Sequence, residues 1–173
     1  YEEVDEVDLS ISNNVKTISP YMFARLNLKS ITIPASIISI GLNAFVQCQS
    51  LNSIVFEDST TPLTVSYHHT WSILGPFHQS PLTSITLGRE ISYCYDGVDG
   101  FEAKFNPGAT DEGLFASEDK VESLSVTLSS NVQTILDYMF AGRPITQLVI
   151  PGTVTTIGNN VFNECDKLTS LTF

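Results

Sequence analysis

The sequence predicts a mixed α/β solenoid, rich in strand. Parallel strands are expected on one face and short helical, 3₁₀ or irregular turns on the opposite face. Three observations carry that expectation. Residues 28–48, LKSITIPASIISIGLNAFVQC, return at 145–165 as ITQLVIPGTVTTIGNNVFNEC. Residues 9–56 align with 126–173 at a constant offset of 117 without a gap. Degraded copies of the same text fill most of the remaining chain, and a unit of this size cannot bury its own apolar residues unless a neighbour stacks on it.

The template coil can be read residue by residue. Ile31 and Ile33 alternate with Ser30 and Thr32, the period-two pattern of a strand with one buried face. Pro34 ends the ladder because it has no N–H to donate. Ile37 and Ile40 point back inward as the chain turns, and Gly41 permits a bend that other residues resist. Ala44, Phe45 and Cys48 have the i, i+1, i+4 spacing of one helical or 3₁₀ turn, and Leu51 opens the next coil.

Laid along the chain, this template gives strand anchors at Ile11, Ile33, Phe56, Leu87, Leu128, Ile150 and Phe173. Turn anchors follow at Phe23, Phe45, Phe77, Phe115, Phe140 and Phe162. Coils one and five depart from it, with Ser19 and Leu136 at the glycine place. The prediction is one domain over residues 1–173, of about seven coils, with enlarged coils at 51–81 and 82–120. From strand anchor to phenylalanine there are 11 residues in coils one, two, five and six, but 20 in coil three and 27 in coil four. Both insertions fall in the same arc of adjacent coils and are expected to emerge side by side on one flank. Within the first, Leu63, Val65 and Tyr67 alternate as an extra strand would; the second, ISYCYDGVDGFEAKFNPGATDEG, reads as a long, turn-rich loop.

The pattern L-x-x-I-x-I-P-x-x-[IV]-x-x-I-G-x-x-[AV]-F-x-x-C at 28–48 and, with Ile145 in the leading place, at 145–165 closely resembles the BspA-like leucine-rich repeats. Coil four, opening as LTSITLGREISY and closing near GLFAS, is similar to a longer variant coil of such proteins. The resemblance covers nearly the whole chain. It implies a leucine-rich-repeat solenoid, a bacterial cell-surface or secreted setting, and a non-catalytic adhesion or binding role toward a protein or glycan. It supplies no binding residues, because the motif is the core.

Composition excludes several alternatives. The net charge is −11, with five carboxylates among the first eight residues and nine between Glu90 and Glu122. Such a surface repels phosphate backbones and anionic lipid, so neither nucleic acid nor a membrane surface is an expected partner. No run approaches the ~20 apolar residues of a membrane span. The start lacks a methionine, a basic n-region and an apolar h-region, which reads as a mature or excised fragment. Cys48 and Cys165 occupy equivalent places four coils apart. At about 4.8 Å per coil they are roughly 19 Å from each other, beyond the ~7 Å between α-carbons that a disulfide allows. They read as small buried hydrophobes.

Candidate chemistry gathers in the insertions. Tyr67, Trp71, Tyr93 and Tyr95 offer rigid apolar area with a polar handle, suited to protein hot spots and sugar stacking. His68, His69, Asp96, Asp99, Phe101 and Glu102 complete the candidate binding flank, for which the alternative reading is a cover over a wider solenoid. His68 and His69 are adjacent on an extended segment and point to opposite faces, which with His78 makes a poor zinc set. Asp96 to Gly100 lacks the ligand order and terminal glutamate of an EF-hand, so no metal or other cofactor is expected. Glu90, Asp96, Asp99 and Glu102 contain the pairs a glycosidase needs, as any loop this acidic does, and no nucleophile elbow or P-loop is present. A second candidate surface is the outward side of the strands, Asp8/Ser10, Ser30/Thr32, Ser53/Val55, Ser84/Thr86, Ser125/Thr127, Gln147/Val149 and Ser170/Thr172, a hydroxyl-rich landing strip for glycan or protein with almost no charge. Its bland reading is that Ser and Thr pair across half-exposed strands. The final strand, ending at Phe173 with no polar cap, is expected to meet further repeats or to associate end to end.

Overall fold

The computed structural model describes residues 9–67, 76–95, 114–115 and 121–173. Coil one contributes β1 (Thr17–Ile18), and coil two contributes β2 (Ser30–Ile33) and β3 (Ser39–Ile40). Coil three adds β4 (Ser53–Phe56) and β5 (Leu63–Tyr67); coil four adds β6 (Ser84–Leu87) and β7 (Ile91–Tyr95). Then come β8 (Ser125–Leu128) and β9 (Thr134–Ile135), β10 (Gln147–Val149) and β11 (Thr156–Ile157), and β12 (Ser170–Thr172).

Each complete coil thus carries two strands joined by a corner. The first strands stack as β2-β4-β6-β8 and β10-β12, the second as β1-β3-β5-β7 and β9-β11. Every pairing is parallel. Between the two parts of the first row, an isolated parallel bridge joins Leu124, just before β8, to Ile145, just before β10.

The fold class differs from the α/β expectation. Among the described residues there is no helix of any kind, and the molecule is an all-β, parallel-sheet solenoid. The reason lies in the backbone of the phenylalanine turns. An α-helix returns each N–H to the carbonyl four residues back. Here alternate amides leave the coil: Tyr21, Phe23 and Arg25 donate to the carbonyls of Leu42, Ala44 and Val46 at 2.9–3.0 Å. The intervening Met22 and Ala24 close local turns onto Ser19 and Tyr21. The same alternation recurs from Tyr138, Phe140 and Gly142 to Asn159, Val161 and Asn163.

Left-handed residues make this possible. Positive φ recurs four residues apart at Tyr21 and Arg25, Asn43 and Gln47, Tyr138 and Gly142, and Asn160 and Glu164. A helix cannot propagate through such inversions. Side chains at these places support one another along the stack: Arg25 Nε donates to Gln47 Oε1 at 2.7 Å, and Gln47 Nε2 donates to Gln79 Oε1 at 2.8 Å. The spacing of Ala44, Phe45 and Cys48 does direct all three inward, and each is fully buried.

The core follows the repeat. Phe23, Phe45, Phe77, Phe115, Phe140 and Phe162 form one file of rings with successive centroids 5.3–6.3 Å apart. Aromatic contacts at this distance add to the energy of area burial. Buried Ile31, Ile33, Ile54, Phe56, Ile85 and Leu87 line the inner side of the first sheet opposite. Gly41 is needed for proximity rather than for a bend, since a β-carbon there would lie 2.5 Å from the nitrogen of Pro20 in the coil below.

Candidate binding surfaces

Three surfaces follow from this architecture. The first is the ledge formed by β5 and β7. The regular second strand is two residues long, as in β3, whereas β5 and β7 each run to five. Leu63, Val65 and Ile91 are buried, while Thr64 and Ser92 face outward with their hydroxyls 3.3 Å apart. The register runs Leu63 to Ile91 through Tyr67 to Tyr95. Two tyrosines that stand 28 positions apart in sequence are therefore α-carbon partners, and Tyr93 is half-buried against the core. The extra strand expected at Leu63–Tyr67 is present, and the segment read as a loop from Ile91 begins as a strand that pairs with it. His68, His69, Trp71, Asp96, Asp99, Phe101 and Glu102 lie outside the described residues.

The second surface is the outer side of the first sheet. Cross-strand register aligns Ser30, Ser53, Ser84 and Ser125 in one column. Thr32, Val55, Thr86 and Thr127 form a parallel column. At about 4.8 Å between strands and about 6.6 Å between alternate residues, this is a regular array. Gln147 and Val149 pair with Ser170 and Thr172 beyond it. No outward position of these six strands is charged.

The third surface, the row of corners, holds charged groups whose work is structural. Glu90, a candidate acid in the sequence, accepts from the backbone N–H groups of Gln133 at 2.8 Å and Thr134 at 3.2 Å in the next described coil. Glu57 accepts from Ala35 N–H at 2.9 Å, and Asp137 from Asn159 N–H at 2.6 Å. These carboxylates cap amides of neighbouring coils that would otherwise lack partners at the sheet ends.

Arg89 was not foreseen as special. Its corner between β6 and β7 has only three residues, 88–90, against five at 34–38 and six at 57–62. The space inside the shorter corner is filled by the Arg89 side chain, which has no solvent exposure. Its guanidinium donates to the carbonyls of Ile33, Pro34, Ala35, Ile37 and Glu57 at 2.5–3.3 Å. Burial lowers the guanidinium pKa from its ordinary value and the Glu57 carboxylate opposes that shift. The sequence signal was a lone arginine at a tightened corner, flanked by strand text.

The cysteines also resolve. Cys48 Sγ and Cys165 Sγ each donate at 3.1 Å to a phenylalanine carbonyl of the preceding coil, Phe23 and Phe140 respectively. Burial raises both thiol pKa values above the ordinary 9.0. Cys94 is exposed on β7. His78 lies in the turn row, where its carbonyl accepts from Gln47 N–H at 2.8 Å. Among the described residues no three His, Cys, Asp or Glu side chains converge as metal ligands, and no helix is long and apolar enough to cross a membrane.

A family model for the BspA type leucine rich repeat region matches six copies in this chain, over residues 3–97 and 109–173. The chain belongs to the BspA type leucine-rich repeat family. In this BspA type solenoid the motif residues Ile33, Ile40, Phe45 and Cys48 all point into the core, which is why the motif marks the fold and not a ligand. The chain is similar to the crystal structure of a leucine rich cell surface protein from Faecalibacterium prausnitzii A2-165. The identity is 24% and the TM-score 0.45, over 91% of this chain and 42% of that one. It is also similar to a leucine-rich repeat protein from Eubacterium ventriosum ATCC 27560, at 17% identity and a TM-score of 0.32, over 94% and 58% of the two chains. This BspA type chain thus spans 42% and 58% of the solved proteins it matches. Among curated proteins none matches it.

Proposed function

We propose that this chain is a non-catalytic adhesion and ligand-binding domain, displayed on or secreted from a bacterial cell, that contacts a protein or a glycan. The BspA type family supports that general role and setting. The observation that carries the reading is the β5–β7 ledge. It extends beyond the regular coil, sets Tyr67 beside Tyr95, and is the point from which both insertions depart. Tyrosine at such an edge supplies contact area with little conformational entropy to lose on binding. Selectivity then rests on Tyr67, Tyr93 and Tyr95 together with His68, His69, Trp71, Asp96, Asp99, Phe101 and Glu102 of the insertions.

The test is binding of the folded chain to a broad array of host proteins and glycans, repeated with Tyr67→Ala/Trp71→Ala/Tyr95→Ala. The expected result is a hit on the array that the triple variant loses at unchanged Tm. An equal hit by the triple variant would move the site away from the ledge. No hit at all would favour a spacer that holds other domains away from the cell, and hydrolysis of any arrayed glycan would overturn the non-catalytic reading.

A further inference from the structure

The outer side of the first sheet carries two columns of side chains, mostly Ser and Thr, aligned strand by strand. Several Ser and Thr hydroxyls elsewhere are engaged within the chain: Ser80 and Thr83 donate to the carbonyls of Phe45 and Asn52, Ser50 to Asn27 Oδ1, and Thr169 to the carbonyl of Thr146. Among the described residues, the hydroxyls of the serine and threonine columns on β2, β4, β6 and β8 make no hydrogen bond within the chain and face outward. They are held in register by a continuous ladder above a close-packed core, so their positions are fixed before any ligand arrives. Preorganised donors and acceptors lose little freedom on binding.

The chemistry of the columns selects the occupant. A chain of net charge −11 presents here a strip with no charge, so no ion pair can form on the strip itself and an anionic polymer is repelled by the surroundings. Protein partners are anchored by aromatic or arginine side chains seated in pockets, and the strip offers neither. A hydroxyl array repeating at about 4.8 Å over four strands, roughly 14 Å in all, suits a ligand that repeats hydroxyls along its own length.

We propose that the serine and threonine columns of the first sheet bind an extended, neutral, β-linked polysaccharide lying along the solenoid axis. The inference names the ligand class of the binding role proposed above and rests on that role, at a surface separate from the tyrosine ledge. Each coil contributes weak hydrogen bonds, and affinity comes from their repetition along one polymer.

The test is depletion of the purified chain from solution by insoluble cellulose and by chitin, with polygalacturonate as an anionic comparison. Retention on at least one neutral polymer is expected, unchanged between low and high salt, with none on the anionic one. Ser53→Ala/Ser84→Ala/Thr86→Val should reduce retention about tenfold at wild-type Tm. Thr86→Lys, which points away from the core, should do the same should the triple variant fold poorly. Tyr67→Ala/Tyr95→Ala should leave retention intact. The proposal is overturned by no retention on either neutral polymer, by full retention of both column variants, or by retention that collapses with salt. An array hit that depends on the ledge, alongside no polysaccharide retention, would remove this inference and leave the ledge reading standing.

Discussion

Arg89 donates a 2.7 Å hydrogen bond to the carbonyl of Ile37, two coils away in the stack. A fully buried guanidinium is tolerated there because backbone carbonyls from two corners converge on it. It pins coils two, three and four together directly beside the ledge. Arg89→Met should lower unfolding free energy by about 2–4 kcal/mol, since it strips partners from buried carbonyls. Arg89→Lys should recover only part of this, because one ammonium cannot replace a planar fork with five donors. Urea unfolding midpoints measure both; an unchanged midpoint in Arg89→Met would show that the corner closes without it.

Gly142 and Glu164 occupy the same left-handed place in successive coils, with φ of 69° and 56°. Only glycine adopts that conformation without a clash between β-carbon and backbone. Gly142→Ala should therefore cost about 1–2 kcal/mol, and Glu164→Gly should raise stability by roughly 0.5–1 kcal/mol after the added freedom of the unfolded chain is counted. Thermal melts of the two variants should shift in opposite directions. Shifts of the same sign would place the strain elsewhere in the turn.

Cys48 and Cys165 give the fold an alkaline limit. Burial raises each thiol pKa in the folded state, so the folded chain keeps its protons at a pH where the unfolded chain loses them. Their contribution to stability is complete below the ordinary thiol value of 9.0 and is lost as pH rises from there toward the raised folded values. Cys48→Ala/Cys165→Ala should flatten the fall in Tm between neutral and alkaline pH. In the native wild-type chain a thiol reagent should modify the exposed Cys94 well before either buried cysteine. Equal labelling of all three would contradict the packing described.

Much of the candidate site was legible because strand text is local. The alternation of Leu63, Val65 and Tyr67 marked β5, and the common arc of the two insertions placed both departures on one flank. That Tyr67 and Tyr95 are partners required the register of two strands 28 residues apart, which no local pattern encodes. Glu90 read as a candidate acid because its carboxylate is chemically able. The capped amides of Gln133 and Thr134 that engage it come from another coil.

The repeat by itself determined the stacking, the phenylalanine file and the inward cysteines, since each follows from a periodicity that puts apolar groups on one side of a coil. Tertiary structure decided the rest. Ala44, Phe45 and Cys48 carry helical spacing, yet their coil is helix-free because alternate amides find better-placed carbonyls in the next coil than in their own. The tetrapeptide Tyr-Met-Phe-Ala shows the same division: Met22 is 56% exposed and Met139 only 2%, though the local text is identical. Burial of an apolar side chain is a property of what packs over it, which the local text does not encode.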